Sequence, residues 1–448
     1  MRRDGRVRWV AGLVCACLAV PIVRPLQAQS TPPPFPLIEA TIDDVQAALT
    51  ARRITCRALV GQYLARIEAY NRRGPNLNAV ETINTRALAE ADQLDAAMAG
   101  SAPRGPLHCI PMLVKDELDA AGVETTYGSA AFKGFVPATD ATVVARLKAA
   151  GAIILAKATM GEFASGYVSS ISGAIRNPYD PARHASGSSG GTGAGIAANF
   201  ATVGIGEDTG GSIRGPASVG SLVGLRPTVP LVSRAGLFPA RPTTDTVGPI
   251  ARTVKDAAIV LQVIAGFDAR DPTTAELPRQ ERASYVPQLR ANGLSGVRLG
   301  VLRQPQDGRT DVHSADYLAF RRVSDPAIAR MQALGAVVED VPEIPDLARR
   351  LDQDYDGNVF ETESAVDRFL AGESHPPFTT LREILLSGRM LPSRATTLME
   401  SVNRTVADAG YARIRQDIRR HLTNAEGESS RTRGEENRRN WRRAARSG

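Results

Sequence analysis

Lys115 stands in surroundings that suggest chemistry in this 448-residue sequence. It directly follows the apolar run at residues 110–114, which has the composition of a buried strand. Burial removes water from a lysine ammonium group, lowers its pKa and can leave a neutral amine that accepts a proton. The sequence therefore predicts a buried base at Lys115.

Two glycine-rich segments further along the chain carry serines. Residues 187–191 read Gly-Ser-Ser-Gly-Gly, and residues 206–214 read Gly-Glu-Asp-Thr-Gly-Gly-Ser-Ile-Arg. A serine attacks an amide carbonyl when a base takes its proton, and the tetrahedral intermediate then needs hydrogen-bond donors for its oxyanion. Glycines let consecutive backbone N–H groups point into one cavity. We therefore predict an oxyanion hole formed by Thr209, Gly210 and Gly211.

Taken together and in this order, the three segments resemble the amidase signature family, which hydrolyses carboxamides with a lysine and two serines. The first segment reads Leu-His-Cys-Ile-Pro-Met-Leu-Val-Lys-Asp over residues 107–116. The separations also agree, with 73 positions from Lys115 to Ser188 and 24 from Ser188 to Ser212. The resemblance runs from about residue 40 to about residue 425 and is densest from residue 105 to residue 227.

The resemblance implies a catalytic triad. Ser212 would be the nucleophile, Ser188 the relay after a cis peptide bond with Gly187, and Lys115 the base. The implied reaction is hydrolysis of a linear, small-molecule carboxamide through an acyl-enzyme, with no cofactor and no metal ion. Glu117 stands where the family commonly has asparagine, which we interpret as tuning of the pocket. Three charged neighbours of the triad are expected to be supporting polar groups: Asp116, Asp208 and Arg214.

Two other hypotheses compete with this one. Residues 187–191 also match Gly-x-Ser-x-Gly, which would make Ser189 the nucleophile of an α/β-hydrolase-type esterase with His313, His375 or His421 as base. That motif needs a strand directly before it, whereas residues 177–184 contain two prolines and are expected to form a loop. A nucleotide-binding module would need Gly-x-Gly-x-x-Gly or a Walker lysine, and the glycine-rich segment has neither.

The chain around these segments predicts an α/β fold. Short apolar runs alternate with amphipathic segments from residue 110 onward, a pattern typical of strands joined by helical crossovers. We expect a mixed, mainly parallel β-sheet covered by helices on both faces, preceded by two or three helices of which the first begins after Thr41. The predicted strands are residues 110–114, 153–155, 201–205, 297–302 and 336–341, and the clearest helices are 140–150, 253–265 and 325–334.

The formal net charge of +7 lies entirely at the two ends of the chain. Residues 1–28 carry five arginines and one aspartate, and residues 426–448 carry seven arginines and four glutamates. A nucleic-acid partner needs its basic surface on the folded body, so the charge gives no case for one. Arginines before the apolar run at residues 9–23 predict a signal peptide over residues 1–28 and an exported, periplasmic or extracellular protein. No later stretch is apolar enough to span a membrane.

The predicted domain organisation has three further parts. A proline-rich lead-in covers residues 29–39, and the amidase domain covers residues 40–425. Residues 426–448 are expected to be a disordered basic tail, and we interpret the change there as a domain truncated at its C-terminal end. A catalytically impaired homologue therefore remains an alternative, and homo-oligomer formation stays open. Cys56 and Cys109 are expected to be buried, unpaired thiols.

Overall fold

The computed structural model describes residues 35–100, 105–276, 284–305, 309–349 and 358–408. All of them belong to the compact unit Phe35–Gly448. The helices are α1 (Ile42–Thr50), α2 (Cys56–Tyr70), α3 (Ala87–Gly100), α4 (Thr142–Ala149), α5 (Gly190–Ala197), α6 (Arg214–Val219), α7 (Val254–Ile264), α8 (Ala315–Ala333), α9 (Asn358–Gly372), α10 (Leu381–Leu386) and α11 (Pro392–Met399). The strands are β1 (Val80–Ile83), β2 (Pro111–Lys115), β3 (Ile153–Ala158), β4 (Val168–Ser169), β5 (Gly173–Ala174), β6 (Val203–Glu207), β7 (Val223–Gly224), β8 (Val247–Ala251), β9 (Arg298–Val301) and β10 (Val337–Asp340).

A six-stranded sheet in the order β1-β3-β2-β6-β8-β7 forms the centre of the described chain. Strands β3, β2 and β6 are parallel neighbours, and β1 and β8 pair antiparallel at their flanks. Because β7 pairs antiparallel with β8, it runs in the same direction as the central three. The expected mixed, mainly parallel α/β sheet flanked by helices is confirmed. Strands β2, β3, β6 and β8 are buried along their whole length, as their continuous apolar runs require.

Helix α5 packs closely against the central strands because its sequence is mostly glycine and alanine. A Cβ atom on Gly191 would collide with the carbonyl oxygens of Thr159 and Ala79, so only glycine allows this approach. The predicted first helix also forms: α1 begins after Thr41, which accepts from the N–H of Asp44, while the Asp44 carboxylate accepts from the N–H of Thr41.

The small parallel pair β9-β10 and helix α8 form a more exposed part of the chain. Both strands were predicted, but the helix prediction of residues 325–334 is wrong at its start. Helix α8 begins at Ala315, where Ser314 accepts from the N–H of Tyr317, and it continues through Pro326. Proline is favoured in the first turn of a helix, which made Asp325-Pro326 resemble a start.

An aromatic cluster holds helices α9 to α11 against the sheet domain. Phe369 of α9 lies 5.3 Å, between ring centroids, from Phe238 and 5.9 Å from Tyr127. Leu381 and Ile384 of α10 are buried in the same cluster. These helices were missed in the sequence, and they complete one wall of the cavity described below.

Cys56 and Cys109 are joined as a disulfide, with their Cα atoms 5.4 Å apart. The expectation of two unpaired thiols is therefore wrong. The residues lie 53 positions apart, and only the packing of α2 near the start of β2 brings them together. Spacing in the sequence carries no signal for such a pair.

Several predictions fall on residues that the structure does not describe. The signal peptide at residues 1–28, most of the proline-rich lead-in and the basic tail at residues 426–448 lie outside the described residues. The expected truncation of the domain lies there too and stays a prediction. Among the described helices, none has the length and apolar character needed to cross a bilayer.

Candidate active site

Lys115 is the last residue of β2, and Glu207 is the last residue of the neighbouring β6. The carboxyl ends of parallel strands meet at one edge of a sheet, so these two side chains are brought together although they are 92 positions apart. The Nζ atom of Lys115 lies 2.7 Å from Oε2 of Glu207, 2.8 Å from Oε2 of Glu117 and 2.8 Å from Oγ of Ser188. The ammonium group therefore donates hydrogen bonds to Ser188 and Glu207 and forms an ion pair with Glu117.

Ser188 lies in the turn that leads into α5, two residues before the helix begins. Its peptide bond with Gly187 is cis, as the resemblance implies. The side chain is buried, and a Cβ on Gly187 would collide with the carbonyl oxygen of Gly166. The tight contact between these two backbone segments fixes Ser188 over Lys115.

Asp208 anchors the turn that carries Ser212. Its carboxylate accepts from the backbone N–H groups of Gly211 and Ile213 and from the guanidinium groups of Arg214 and Arg226. Burial alone would raise the pKa of Asp208, but these donors, Arg214 foremost, outweigh it and lower the pKa. Asp208 and Arg214 are thus supporting groups by geometry, as expected.

The predicted oxyanion hole needs a correction at Gly211. Its N–H donates to Oδ1 of Asp208 at 2.6 Å and so does not point to an oxyanion in this structure. The backbone of Gly211 has a φ of 137°, which turns the chain so that this N–H faces Asp208. The N–H groups of Thr209 and Gly210 remain as candidate donors.

Ser188 and Ser212 line the same cavity of about 410 Å³, which we call the candidate active-site cavity. Three turns of the sheet domain form one wall, and helices α9 and α11 form the other. The lining residues are Ala164, Ser165, Gly166, Ser186, Gly187, Ser188, Thr209, Gly210, Gly211, Ser212, Ala240, Val359, Thr362, Arg394, Thr397, Leu398 and Ser401.

The pKa of Lys115 is raised, whereas the sequence predicted that burial would lower it. Burial alone would lower the pKa of Lys115, as predicted, but the carboxylates of Glu117 and Glu207 more than offset it and raise the pKa. Burial and the nearby Glu207 also raise the pKa of Glu117 well above its usual range. Glu117 thus contacts the lysine itself. The sequence signal for Glu207 was its place at the end of an apolar run, like that of Lys115.

Ser189 is placed differently from the two other serines. Its hydroxyl is fully buried, donates to the carbonyl oxygen of Glu207 and accepts from the N–H of the same residue. No strand directly precedes it, and His313 and His375 are exposed while His421 lies outside the described residues. The geometry therefore gives no support to a Ser189 nucleophile.

One group of side chains within the described residues has the spacing of metal ligands. Cys56, His108 and Cys109 offer atoms within 4.8 Å of one another, and all three are buried. Both sulfur atoms are used by the disulfide. This group is not part of the candidate active-site cavity.

Comparisons with known proteins point in one direction. The family model described as Amidase matches residues 58–443. A glutamyl-tRNA(Gln) amidotransferase component from Deinococcus deserti is 37% identical over 316 residues, which cover 70% of this chain and 61% of that protein. Its counterpart from Maridesulfovibrio salexigens is 41% identical over 303 residues, covering 67% and 60%. The chain thus spans about 60% of the length of these curated relatives.

Solved structures agree with this. The native peptide amidase of Stenotrophomonas maltophilia has a TM-score of 0.80 and 37% identity, covering 86% of this chain and 80% of that chain. An amidase family protein of Bacillus anthracis has a TM-score of 0.76 and 30% identity, covering 86% and 77%.

Proposed function

Since the chain belongs to the amidase family, we propose that it hydrolyses the C–N bond of a small-molecule carboxamide at the candidate active-site cavity. Ser212 is the nucleophile, Ser188 the proton relay and Lys115 the base of this proposal. The observation that carries it is the 2.8 Å contact between Nζ of Lys115 and Oγ of Ser188, with Ser188 and Ser212 lining the same cavity.

The base must first become neutral. An ammonium group has no free electron pair and cannot accept a proton, so one of its protons has to move to a neighbouring carboxylate. Glu207 and Glu117 are within 2.8 Å and can take it. Moving that proton turns a buried ion pair into two neutral groups. Burial in a site with little water penalises neutral groups less than charged ones.

With a neutral lysine, the relay first carries a proton from Ser212 to Lys115. The Ser212 proton passes to Ser188, the Ser188 proton passes to Lys115, and the Ser212 oxygen attacks the amide carbonyl. The N–H groups of Thr209 and Gly210 are proposed to stabilise the oxyanion. The proton held by Lys115 then returns along the relay to the leaving nitrogen, and water releases the acid from the acyl-enzyme by the same steps.

The cavity supports a substrate of modest size with polar groups. Its volume of about 410 Å³ falls within the usual range of small-ligand pockets, and serine, threonine and arginine side chains line it. Because a structural neighbour is named a peptide amidase, amides of short peptides are the first substrates to try. A cofactor has no role in the proposed steps.

The test is an activity screen with a serine-directed phosphonate as probe. The purified chain is offered peptide amides, alkyl amides, anilides and matching esters, and the labelled residue is identified by mass spectrometry of peptides. We expect amide turnover and a label on Ser212, with both lost in Ser212→Ala. A label on Ser189, or amide turnover that survives Ser212→Ala, would overturn the mechanism.

We also propose that the protein is exported. The support is the arginine-rich start followed by the apolar run at residues 9–23. N-terminal analysis of the protein recovered from the periplasm and the medium should find a chain that begins near Gln29. An intact N-terminus on protein confined to the cytosol would contradict export.

A further inference from the structure

A chain of polar side chains continues from Lys115 through Glu207 and Thr209, which lines the candidate active-site cavity, to Asp245. Oε2 of Glu207 contacts Lys115, and Oε1 of the same carboxyl group lies 2.8 Å from Oγ1 of Thr209. That hydroxyl lies 2.8 Å from Oδ1 of Asp245. Thr209 thus stands between two carboxyl groups, and all contacts in the chain are short.

The geometry requires a proton on this chain. A threonine hydroxyl donates one hydrogen bond, whereas two ionised carboxylates on either side could only accept. One of the two carboxyl groups must therefore carry a proton and donate to the Thr209 oxygen. Oδ2 of Asp245 already accepts from the N–H groups of Ala240 and Arg241, so Oδ1 is the oxygen that would hold the proton.

Asp245 is buried and also borders a second cavity of about 220 Å³. Arg234, Arg270, Arg368 and Asp271 line it as well. Burial and the charge of Glu207 oppose ionisation of Asp245, whereas the Thr209 hydroxyl and the backbone N–H groups of Arg241 and Ala240 favour it. The balance raises the pKa of Asp245 to about 7, with burial as the largest cause. Asp245 can therefore take up or release a proton near neutral pH.

We propose that Asp245, acting through Thr209 and Glu207, exchanges protons between the second cavity and Lys115. Asp245 is a positioning residue in this scheme, and the inference rests on the proposed function of Lys115 as a base. Lys115 is fully buried and does not line the active-site cavity, so its proton has to reach water through neighbouring side chains. The second cavity gives the lysine a route for its proton while the site is occupied.

Each transfer in the route is balanced. Lys115 gives a proton to Oε2 of Glu207 and becomes neutral. In the form with an ionised Asp245, Oε1 of Glu207 holds the proton of the chain. It gives this proton to Thr209 as Oε2 takes the one from Lys115, and the hydroxyl proton of Thr209 passes to Oδ1 of Asp245. Asp245 then releases one proton to solvent water in the second cavity. The outward route therefore needs Asp245 ionised and runs above its pKa.

The first experiment measures kcat against pH, since kcat reports the substrate-bound enzyme. For the parent we expect kcat to rise through an inflection near pH 7, the pKa of Asp245. Asp245→Asn and Thr209→Val should remove the inflection and lower kcat roughly tenfold above it. Thr209→Ser keeps the hydroxyl and should retain the inflection. The double variant should be no slower than Asp245→Asn, because both changes break one route.

An inflection that persists in Asp245→Asn, or a double variant whose loss is the product of the two single losses, would overturn the route. A second measurement does not need turnover: the infrared absorption of protonated carboxyl groups should decline between about pH 6 and about pH 8 in the parent, and this decline should be absent from Asp245→Asn. Thr209→Val should shift its midpoint, and Thr209→Ser should not. A parent that hydrolyses no amide would defeat the proposed function, and the infrared result would still decide whether Asp245 exchanges its proton.

Discussion

Lys115 and Lys157 are fully buried on neighbouring strands of the same sheet, yet their surroundings give them opposite properties. Lys115 pairs in register with Ala158, so Lys157 points to the other face. Lys157 donates to the carbonyl oxygen of Leu118 and to Thr125, both at 2.7 Å, and lies 3.2 Å from Asp116. Lys115 has two glutamates and a serine instead.

The difference appears in the proton affinities. Burial lowers the pKa of Lys157 despite the attraction of Asp116, whereas two carboxylates reverse the effect of burial at Lys115 and raise its pKa. Burial at a strand end therefore does not identify a base. What distinguishes Lys115 is its contact with a hydroxyl that opens on a cavity and with carboxylates that can hold its proton.

The sharpest test of this comparison replaces the base by a permanent cation. Lys115→Arg keeps the positive charge but cannot lose its proton, so kcat/KM for an amide should fall by about 10³-fold or more. Lys157→Arg serves as the matched variant and should keep most activity per folded molecule. Circular dichroism and urea unfolding measure the folded fraction of both variants. Parent-like turnover by Lys115→Arg would exclude it as the base.

The hydroxyl partners of the two lysines form a second matched pair. Ser188→Ala should lower kcat/KM by roughly 10²-fold, because it removes the relay, while Ser212→Ala should lower it further. Thr125→Val removes the hydroxyl beside Lys157 and should cost about 1–3 kcal/mol of unfolding free energy with little change in kcat/KM. Steady-state kinetics and urea unfolding together measure both effects. A rate loss in Thr125→Val equal to that in Ser188→Ala would remove the distinction.

The carboxylate partners should differ in their effect on stability. Asp116 is the ion-pair partner of Lys157 and also accepts from Thr126, so Asp116→Asn should cost about 3 kcal/mol of unfolding free energy. Glu117→Gln should cost less, because Glu207 still neutralises Lys115. Urea unfolding at neutral pH checks the order of the two variants, and the reverse order would contradict it.

The smallest effect expected is on the pH dependence of stability. Lys157 has a folded-state pKa below its usual 10.5. Between these two pKa values the unfolded chain binds more protons than the folded chain, so the free energy of unfolding rises with pH up to 10.5. Lys115 has a folded-state pKa above 10.5, so its contribution is complete below 10.5 and is lost only at higher pH. Lys157→Met should flatten the rise in unfolding free energy below pH 10.5. A slope that remains in that variant would assign it to another group.

The sequence predicted what depends on local order along the chain. The apolar runs before Lys115 and Glu207 indicated strands, and the residues between the glycines indicated turns that expose serines. The raised pKa of Lys115 was not predicted, because Glu207 reaches the lysine only through the neighbouring position of β2 and β6 in the sheet. Strand order is a long-range property, and the predicted element pattern alone did not determine it.

The same limit explains two other errors. The bond between Cys56 and Cys109 depends on where α2 packs. Helices α9 to α11 were missed because their apolar residues meet aromatic partners more than 100 positions away, such as Phe238 for Phe369. The N–H of Gly211 is a local case, because it turns to Asp208 only three positions earlier, at a φ of 137° that the sequence does not specify.

The disulfide between Cys56 and Cys109 makes the redox state of the surroundings part of the fold. It connects the first residue of α2 to the segment that enters β2, the strand that ends in Lys115. Such bonds persist in oxidising compartments and are reduced in the cytosol. A chain made in a reducing compartment would lack this covalent tie, so thiol chemistry outside the cavity lining would govern how firmly the strand that ends in Lys115 is held.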